Sequence, residues 1–412
     1  MRTQKSSELS ARSDDVAGAT LSPSRERRRW PALVLFGTST FLFWACLYLY
    51  VPILPAYAES QGAGLSMVGA VVGSYAIAQL LLRAPLGIWT DFLGRRKPFV
   101  AAGLVFASAG ALTMAVASGP WLIFAGRTVT GVGAATWVVS SVFFASYFPS
   151  DRSARGIGII SFVNSVAIVA ATSIGGQLAE AWGPESVFFV GAALGLLGVL
   201  CLVPVAEPAV YRPPTAGYET FLRVATNPLL LTASLMSMLV HFASAATISS
   251  FTLVYASRLG ASSSELGLVS AAYLGAATLA TLGAVYLMER RSYSSNITLG
   301  AVAMGGPLLV TPLVTRLGPF LLIQLVTGAG RGLINTALMA LSISNVPASH
   351  RATAMGVYQA LYAIGMMAGP ALGGVAAETL GLSSVFLVSG ASVLLAGALA
   401  GLRRLPEAAL TV

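Results

Sequence analysis

Four ionisable side chains, Arg83, Arg127, His241 and Arg331, stand inside apolar runs of membrane-crossing length. An arginine at such a depth costs about 2.5–3.5 kcal/mol on insertion scales, so it persists where a cavity, water or a partner compensates it. Its planar guanidinium can grip a carboxylate with two parallel hydrogen bonds, which the point charge of a lysine cannot do. All 15 Asp and Glu lie in tails, loops or span ends. That pattern favours recognition of an anionic group and disfavours a lipophilic cation, which would need an embedded acid to offset its charge. Arg127 and Arg331 are the candidate ligand contacts, and Asn335 shares a helix face with Arg331 at a spacing of four. A packing role between helices is the other reading of Arg331. Tyr75, Gln79 and Arg83 make a similar stripe, with Arg83 nearer a span end and so better placed to support a gate. Trp44, Tyr48, Asn164, Tyr358, Gln359 and Tyr362 could complete a cavity, although each taken alone is more often a core residue. His241 is the one embedded group that titrates near neutrality, which makes it a proton-coupling candidate or a satisfied structural histidine.

The elements that must position these groups are transmembrane helices. With 56% hydrophobic and 9% charged residues in 412, and a mean hydropathy of +0.79, the chain lacks the charge to coat a soluble globule. About 20 helical residues cross the roughly 30 Å of hydrocarbon. Apolar runs of that length fall near 32–54, 65–86, 98–117, 121–147, 156–179 and 185–204, then 229–256, 265–288, 296–315, 319–345, 353–377 and 383–402. The expected class is all-α integral membrane, with twelve transmembrane helices in two six-helix bundles. The expected parts are a disordered tail 1–29, a first bundle 30–204, a Pro-rich linker 205–228, a second bundle 229–403 and a tail 404–412.

Orientation follows from the bases. Of the 24 Lys and Arg, all but Arg258, Arg316 and the three embedded arginines fall on the face that carries both termini. The positive-inside rule therefore predicts cytoplasmic termini, and a net charge of +9 needs no nucleic acid to explain it. Cys46 and Cys201 lie in predicted spans and suggest neither a disulfide framework nor a metal site. No nucleophile–base pair, phosphate loop, cofactor fingerprint or metal spacing stands out, so an enzyme is not expected.

The halves repeat at an offset of 198 residues. Ser66-x-x-Gly69 falls on Ser264-x-x-Gly267, Asp91 on Glu289, Gly175-Gly176 on Gly373-Gly374, Glu180 on Glu378, and Ser186-Val187-Phe188 on Ser384-Val385-Phe386. A parallel duplication of six spans puts a substrate path between the halves near mid-membrane.

Between the second and third spans the chain reads Gly87-Ile88-Trp89-Thr90-Asp91-Phe92-Leu93-Gly94-Arg95-Arg96-Lys97, expected as a short, water-exposed, tight turn. It resembles the G-x-x-x-D-[R/K]-x-G-[R/K]-[R/K] loop of the major facilitator superfamily, with Phe92 where that family has a base. The resemblance implies a gating latch made by Gly87, Asp91, Gly94, Arg95 and Arg96, with a weaker second copy at Glu289-Arg290-Arg291. Gly365-x-x-x-Gly369-Pro370-x-x-Gly373-Gly374 in span eleven resembles an exporter motif that the family carries in span five, where this chain lacks the Gly-Pro. Gly369 and Pro370 are therefore gating candidates, whereas glycine at every fourth position also permits close helix packing alone. Pro52-x-x-Pro55 and Arg127-x-x-Thr130-Gly131-x-Gly133 are similar to the twelve-span drug:proton antiporter branch.

The expected function is thus secondary transport by alternating access: proton-coupled efflux of a small anionic or zwitterionic organic molecule by a monomer in the plasma membrane. The alternatives are an importer of a small anionic nutrient, and a receptor or scramblase on the same fold.

Overall fold

The computed structural model describes residues 23–148, 153–207, 218–288, 290–347 and 350–402. Among them twelve helices are long and apolar enough to cross a membrane. Spans 1 to 6 are Trp30–Tyr48, Leu65–Arg83, Lys97–Ala115, Pro120–Ala145, Arg155–Trp182 and Pro184–Leu202. Spans 7 to 12 are Pro228–Arg258, Ser263–Met288, Tyr293–Leu313, Leu317–Ser344, Thr353–Thr379 and Leu382–Leu402. Helix is what this composition dictates, because hydrocarbon offers no partner to an unpaired backbone N–H or C=O. The sequence also marks the starts. Proline occupies the first turn of spans 4, 6 and 7, where its missing N–H costs nothing, and the Asn227 side chain caps span 7 by accepting from the N–H groups of Leu229 and Leu230.

Four local features depart from the sequence expectations. The first helix begins at Pro23, inside the stretch expected as a disordered tail. It ends at Tyr48, and turns carry the chain past Pro52 into a separate short helix, Leu54–Ser60, so the first apolar run is not one helix to residue 54. The helix of span 2 runs on to Leu93, so most of the expected turn after it is helical and the connection shrinks to Gly94–Arg96. Only Gly94 breaks the helix there, at φ 64°, a left-handed cap that donates to the Thr90 carbonyl. The linker holds a helix, Tyr218–Ala225.

The spans form two pseudo-symmetric six-helix bundles. In the first, span 1 packs on spans 5 and 6, span 4 on spans 2 and 3, and span 3 on span 6. The second bundle repeats each of these pairings six spans later. The bundles meet where span 2 packs on span 11 and span 5 on span 8.

Glycine sets these contacts at backbone distance. A Cβ on Gly69 would lie 2.2 Å from the Pro370 carbonyl oxygen, and one on Gly176 would lie 2.2 Å from that of Ser263. Within bundles, a Cβ on Gly365 would fall 2.1 Å from the Met238 oxygen and one on Gly369 2.3 Å from that of Phe242. The Gly-Pro stretch of span 11 is therefore packed against span 7 on one side and span 2 on the other.

This packing has a checkable consequence at Gly175, where a Cβ would sit 1.8 Å from the Leu49 carbonyl oxygen. Because backbone, not a flexible side-chain tip, is in the way, Gly175→Ala should cost at least the roughly 1–3 kcal/mol of an overpacked core. It should lower the melting temperature in detergent by several degrees. Gly306→Ala, with nothing within 4 Å, should leave the melting temperature at or above the native value.

Candidate functional site

Two confluent cavities lie between the bundles. The inner one, about 120 Å³, is walled by Tyr48, Thr172, His241, Ser244, Ser270, Tyr273, Met366 and Arg331. The outer part, about 490 Å³, runs between the first halves of span 5 (Gly158, Ser161, Phe162, Asn164, Ser165) and the later half of span 8 (Ala277, Thr278, Thr281, Leu282). Tyr48, Leu274 and Arg331 belong to both. Residues 158 and 282 lie toward the face that carries Arg95, Arg96, Arg290 and Arg291, hereafter the basic face. The close glycine contacts between bundles involve residues 64–73 with 367–378 and 172–176 with 263–267, toward the opposite face. The bundles are thus apposed at the opposite face, and the cavity leads from mid-membrane toward the basic one.

Arg331 sits at the junction of the two cavities, and its guanidinium has no hydrogen-bond or ion-pair partner among the described residues. His241 stands beside it on the wall, 7% exposed. Its Nδ1 lies 2.9 Å from the Ser237 carbonyl oxygen, which can only accept, so Nδ1 carries a proton and Nε2 is the acceptor of the neutral ring. The ring is held by stacking on Tyr362, 4.1 Å between centroids at 13°. Ser237 Oγ in turn donates to the Tyr358 hydroxyl at 2.8 Å. Ser244 and Tyr273 share a hydrogen bond of 3.0 Å on the same wall, and the buried Ser270 hydroxyl has no partner among the described residues. Among the described residues the inner cavity therefore offers one unpartnered cation, one nitrogen acceptor and several hydroxyls, a set suited to an acid that also carries a donor.

Arg127 is placed differently. It is 5% exposed, its guanidinium carbon lies 4.1 Å from the Tyr75 ring centroid and 5.5 Å from that of Tyr50, and it donates to the Tyr50 hydroxyl at 3.1 Å. Aromatic faces, not a carboxylate, cover this charge, and it lines neither cavity. The stripe on span 2 is real: Tyr75 lies under Arg127, Gln79 donates to the Tyr75 carbonyl, and Arg83 donates to Gln79 Oε1.

Of the residues expected to contact ligand, Tyr48, Asn164 and Arg331 come together on the cavity walls, with His241. Trp44 is packed edge-on against Trp137 at 5.3 Å inside the first bundle. Tyr358 and Tyr362 stand behind His241, and Asn335 and Gln359 do not appear on either wall. Sequence reasoning missed Thr172, Ser244, Ser270 and Tyr273. A signal for Tyr273 was present, because the 198-residue offset sets it on Tyr75. It also missed the single π-helical turn, Thr247–Phe251, that interrupts span 7. Such turns re-aim side chains at functional sites, and this one places Ile248 and Ser249 on the cavity wall.

The sequence profile of the Major Facilitator Superfamily matches residues 36–254 and again 233–411, which together cover nearly the whole chain. The chain belongs to the Major Facilitator Superfamily. It is a membrane transporter rather than an enzyme. It is 27% identical over 369 residues to the multi-drug resistance efflux pump PmrA of Streptococcus pneumoniae, covering 84% of this chain and 89% of that one. It is 24% identical over 345 residues to the quinolone resistance protein NorA of Staphylococcus aureus, covering 81% and 87%. A crystal structure of a bacterial homologue of the human lysosomal transporter Spinster, inward-facing and occupied, has the same fold, with a TM-score of 0.78 over 89% of this chain and 95% of that one at 17% identity.

The family's latch is only partly described. Asp91 lies in the last turns of the span 2 helix and its side chain, like all of Glu289, falls outside the described residues. Arg96 is buried, and its backbone N–H donates to Glu207 Oε1 beyond span 6. Lys97 Nζ donates to the Val203 carbonyl at 2.7 Å. Phe92, at the usual basic position, is 81% exposed, and Arg290 lies over the Tyr286 ring at 4.2 Å. A Cβ on Gly87 would meet nothing within 4 Å, so the reason for glycine there does not lie in this conformation.

The contrast between the two deep arginines can be measured without a ligand. Removing Arg127 leaves its tyrosine cage empty, so Arg127→Leu should lower thermal stability. Removing Arg331 takes from the cavity wall a charge that has no partner among the described residues, which is neutral or stabilising. Melting of the two purified variants beside the wild type reads this directly, and equal losses would contradict the assignment.

Proposed function

We propose that the chain is a proton-coupled exporter of small organic acids or zwitterions, working as a monomer by alternating access in the plasma membrane with its basic face and both termini in the cytoplasm. The observation that carries this reading is Arg331, unpartnered at the junction of cavities that open toward the basic face. On this orientation the site is loaded from the cytoplasm, as an exporter requires, and the conformation is inward-open. An acid entering the site supplies the charge that the guanidinium lacks, and the bidentate geometry selects a planar carboxylate. Similarity to PmrA, a multi-drug resistance efflux pump by name, supports the direction, and similarity to a quinolone resistance protein supports a ligand bearing a carboxylate.

His241 is the proposed coupling site. A proton on Nε2 would place a second positive charge beside Arg331, so proton and anionic ligand are coupled through the same small volume. Asp91 and the bases after it are proposed to act at the cytoplasmic gate. Their charges would grip the facing bundle only when that gate is closed, stabilising the outward-open state.

Transport of a fluorescent quinolone acid and its uncharged ester, compared in everted membrane vesicles, tests the site. Arg331→Lys should reduce acid transport about tenfold, the loss of one charge-assisted hydrogen bond's worth of affinity. The ester should move equally in both proteins. If the acid is carried by the variant at the native rate, Arg331 does not select charge. For the gate, Asp91→Asn should slow turnover while leaving the affinity of the inward-open protein for the acid unchanged.

A further inference from the structure

The contacts that close the opposite face include two that neither the family resemblance nor the cavity calls for. The Glu180 carboxylate, at the end of span 5, accepts from the backbone N–H of Ser264 at 2.8 Å. The Glu378 carboxylate, at the end of span 11, accepts from the backbone N–H of Ser66 at 2.9 Å. Ser264 and Ser66 are each the second residue of their helix, in spans 8 and 2. Each acid therefore caps the N-terminus of a helix in the other bundle, where free N–H groups and the positive end of the helix dipole attract a carboxylate.

The two contacts are symmetry mates. The 198-residue offset that sets Ser66 on Ser264 also sets Glu180 on Glu378. The glycine beneath each cap is paired as well: Gly176 packs on Ser263 and Gly267, and Gly374 on Leu65 and Gly69. One turn of helix beyond each close-packed glycine, the acid reaches across to the helix end that the glycine allows to approach.

We propose that Glu180 and Glu378 are the gate residues of the opposite face, a reciprocal pair of carboxylate caps formed only while that face is closed. When the bundles part there, both helix ends lose their acceptor and both acids return to water. A further polar contact across this face, Arg258 with Glu59 at 3.8 Å, is a partly exposed ion pair and contributes less. Both caps are solvent-exposed, so each should shift the closed-to-open ratio by only about two- to fivefold, and the two together by roughly tenfold. That size suits a gate. It biases the closed state without preventing ligand and proton from reversing it. The inference rests on the family reading and on alternating access, not on the nature of the ligand.

Spin labels at Gln61 and Leu380, in a protein with Cys46 and Cys201 replaced, report the separation of this face by pulsed electron resonance in nanodiscs without ligand. Glu180→Ala and Glu378→Ala should each raise the open population two- to fivefold, and the double variant about tenfold. The donor can also be removed from the other side: Ser66→Pro and Ser264→Pro delete the bonded N–H at a position where proline is tolerated in a helix. Glu378→Ala combined with Ser66→Pro should then open the face no further than either change alone, as should Glu180→Ala with Ser264→Pro. Additive effects within a cap would overturn the proposal, because residues acting separately do not saturate. So would a native distance distribution in the double alanine variant, or an equal shift from Glu185→Gln, an acid at the start of span 6 on the same face.

Discussion

Close backbone approach between helices is the constraint on which the rest of this molecule depends. Lipid tails are as apolar as the side chains they would replace, so association inside the membrane has to come from tight packing rather than from exclusion of water. Here glycines on spans 2, 5, 8 and 11 bring backbones of different bundles to distances that would not admit a methyl group. Because all of these contacts lie toward one face, the same packing that holds the bundles together also leaves the cavity on the other side. Site and conformation follow from where the small residues sit along four helices.

Much of this was legible in the sequence, for a physical reason. A membrane span has to be long, apolar and helical, so a run of some twenty apolar residues leaves little choice, and the spans among the described residues fall within a few residues of where hydropathy puts them, except that the first ends early, at Tyr48. The duplication was legible because one offset of 198 residues carries spans 2, 5 and 6 onto spans 8, 11 and 12. Less legible were the breaks that depend on packing. Neither glycine nor proline marks the π turn at Thr247–Phe251. The helical course of Gly87–Leu93 was hidden by Asp91 and the three bases after Gly94, which read as loop although they only mark the end of a helix that leaves the hydrocarbon.

The site was legible in kind but not in detail. Arg127 and Arg331 look alike as isolated arginines in apolar runs, and charge counting cannot separate them. What separates them is the arrangement of aromatic rings in three dimensions. Tyr50 from the turn after span 1 and Tyr75 from span 2 cover Arg127, whereas no ring among the described residues covers Arg331 in this way. A guanidinium over an aromatic face is already partly compensated; one on a cavity wall is left to whatever enters.

Tyr75 and Tyr273 occupy the same place in the repeat, and a glycine backs each at backbone distance, Gly131 and Gly328. In the first bundle the tyrosine ring is spent on Arg127. In the second its hydroxyl is tied to Ser244 and its ring forms part of the cavity wall. The duplicated scaffold has therefore been used in two ways: one half keeps its deep charge satisfied within its own core, and the other presents a deep charge to the space between the halves. An asymmetric site follows even though the gating contacts around it remain symmetric. Recognition needs a ligand held in one orientation, while opening and closing need two bundles that move against each other as equals.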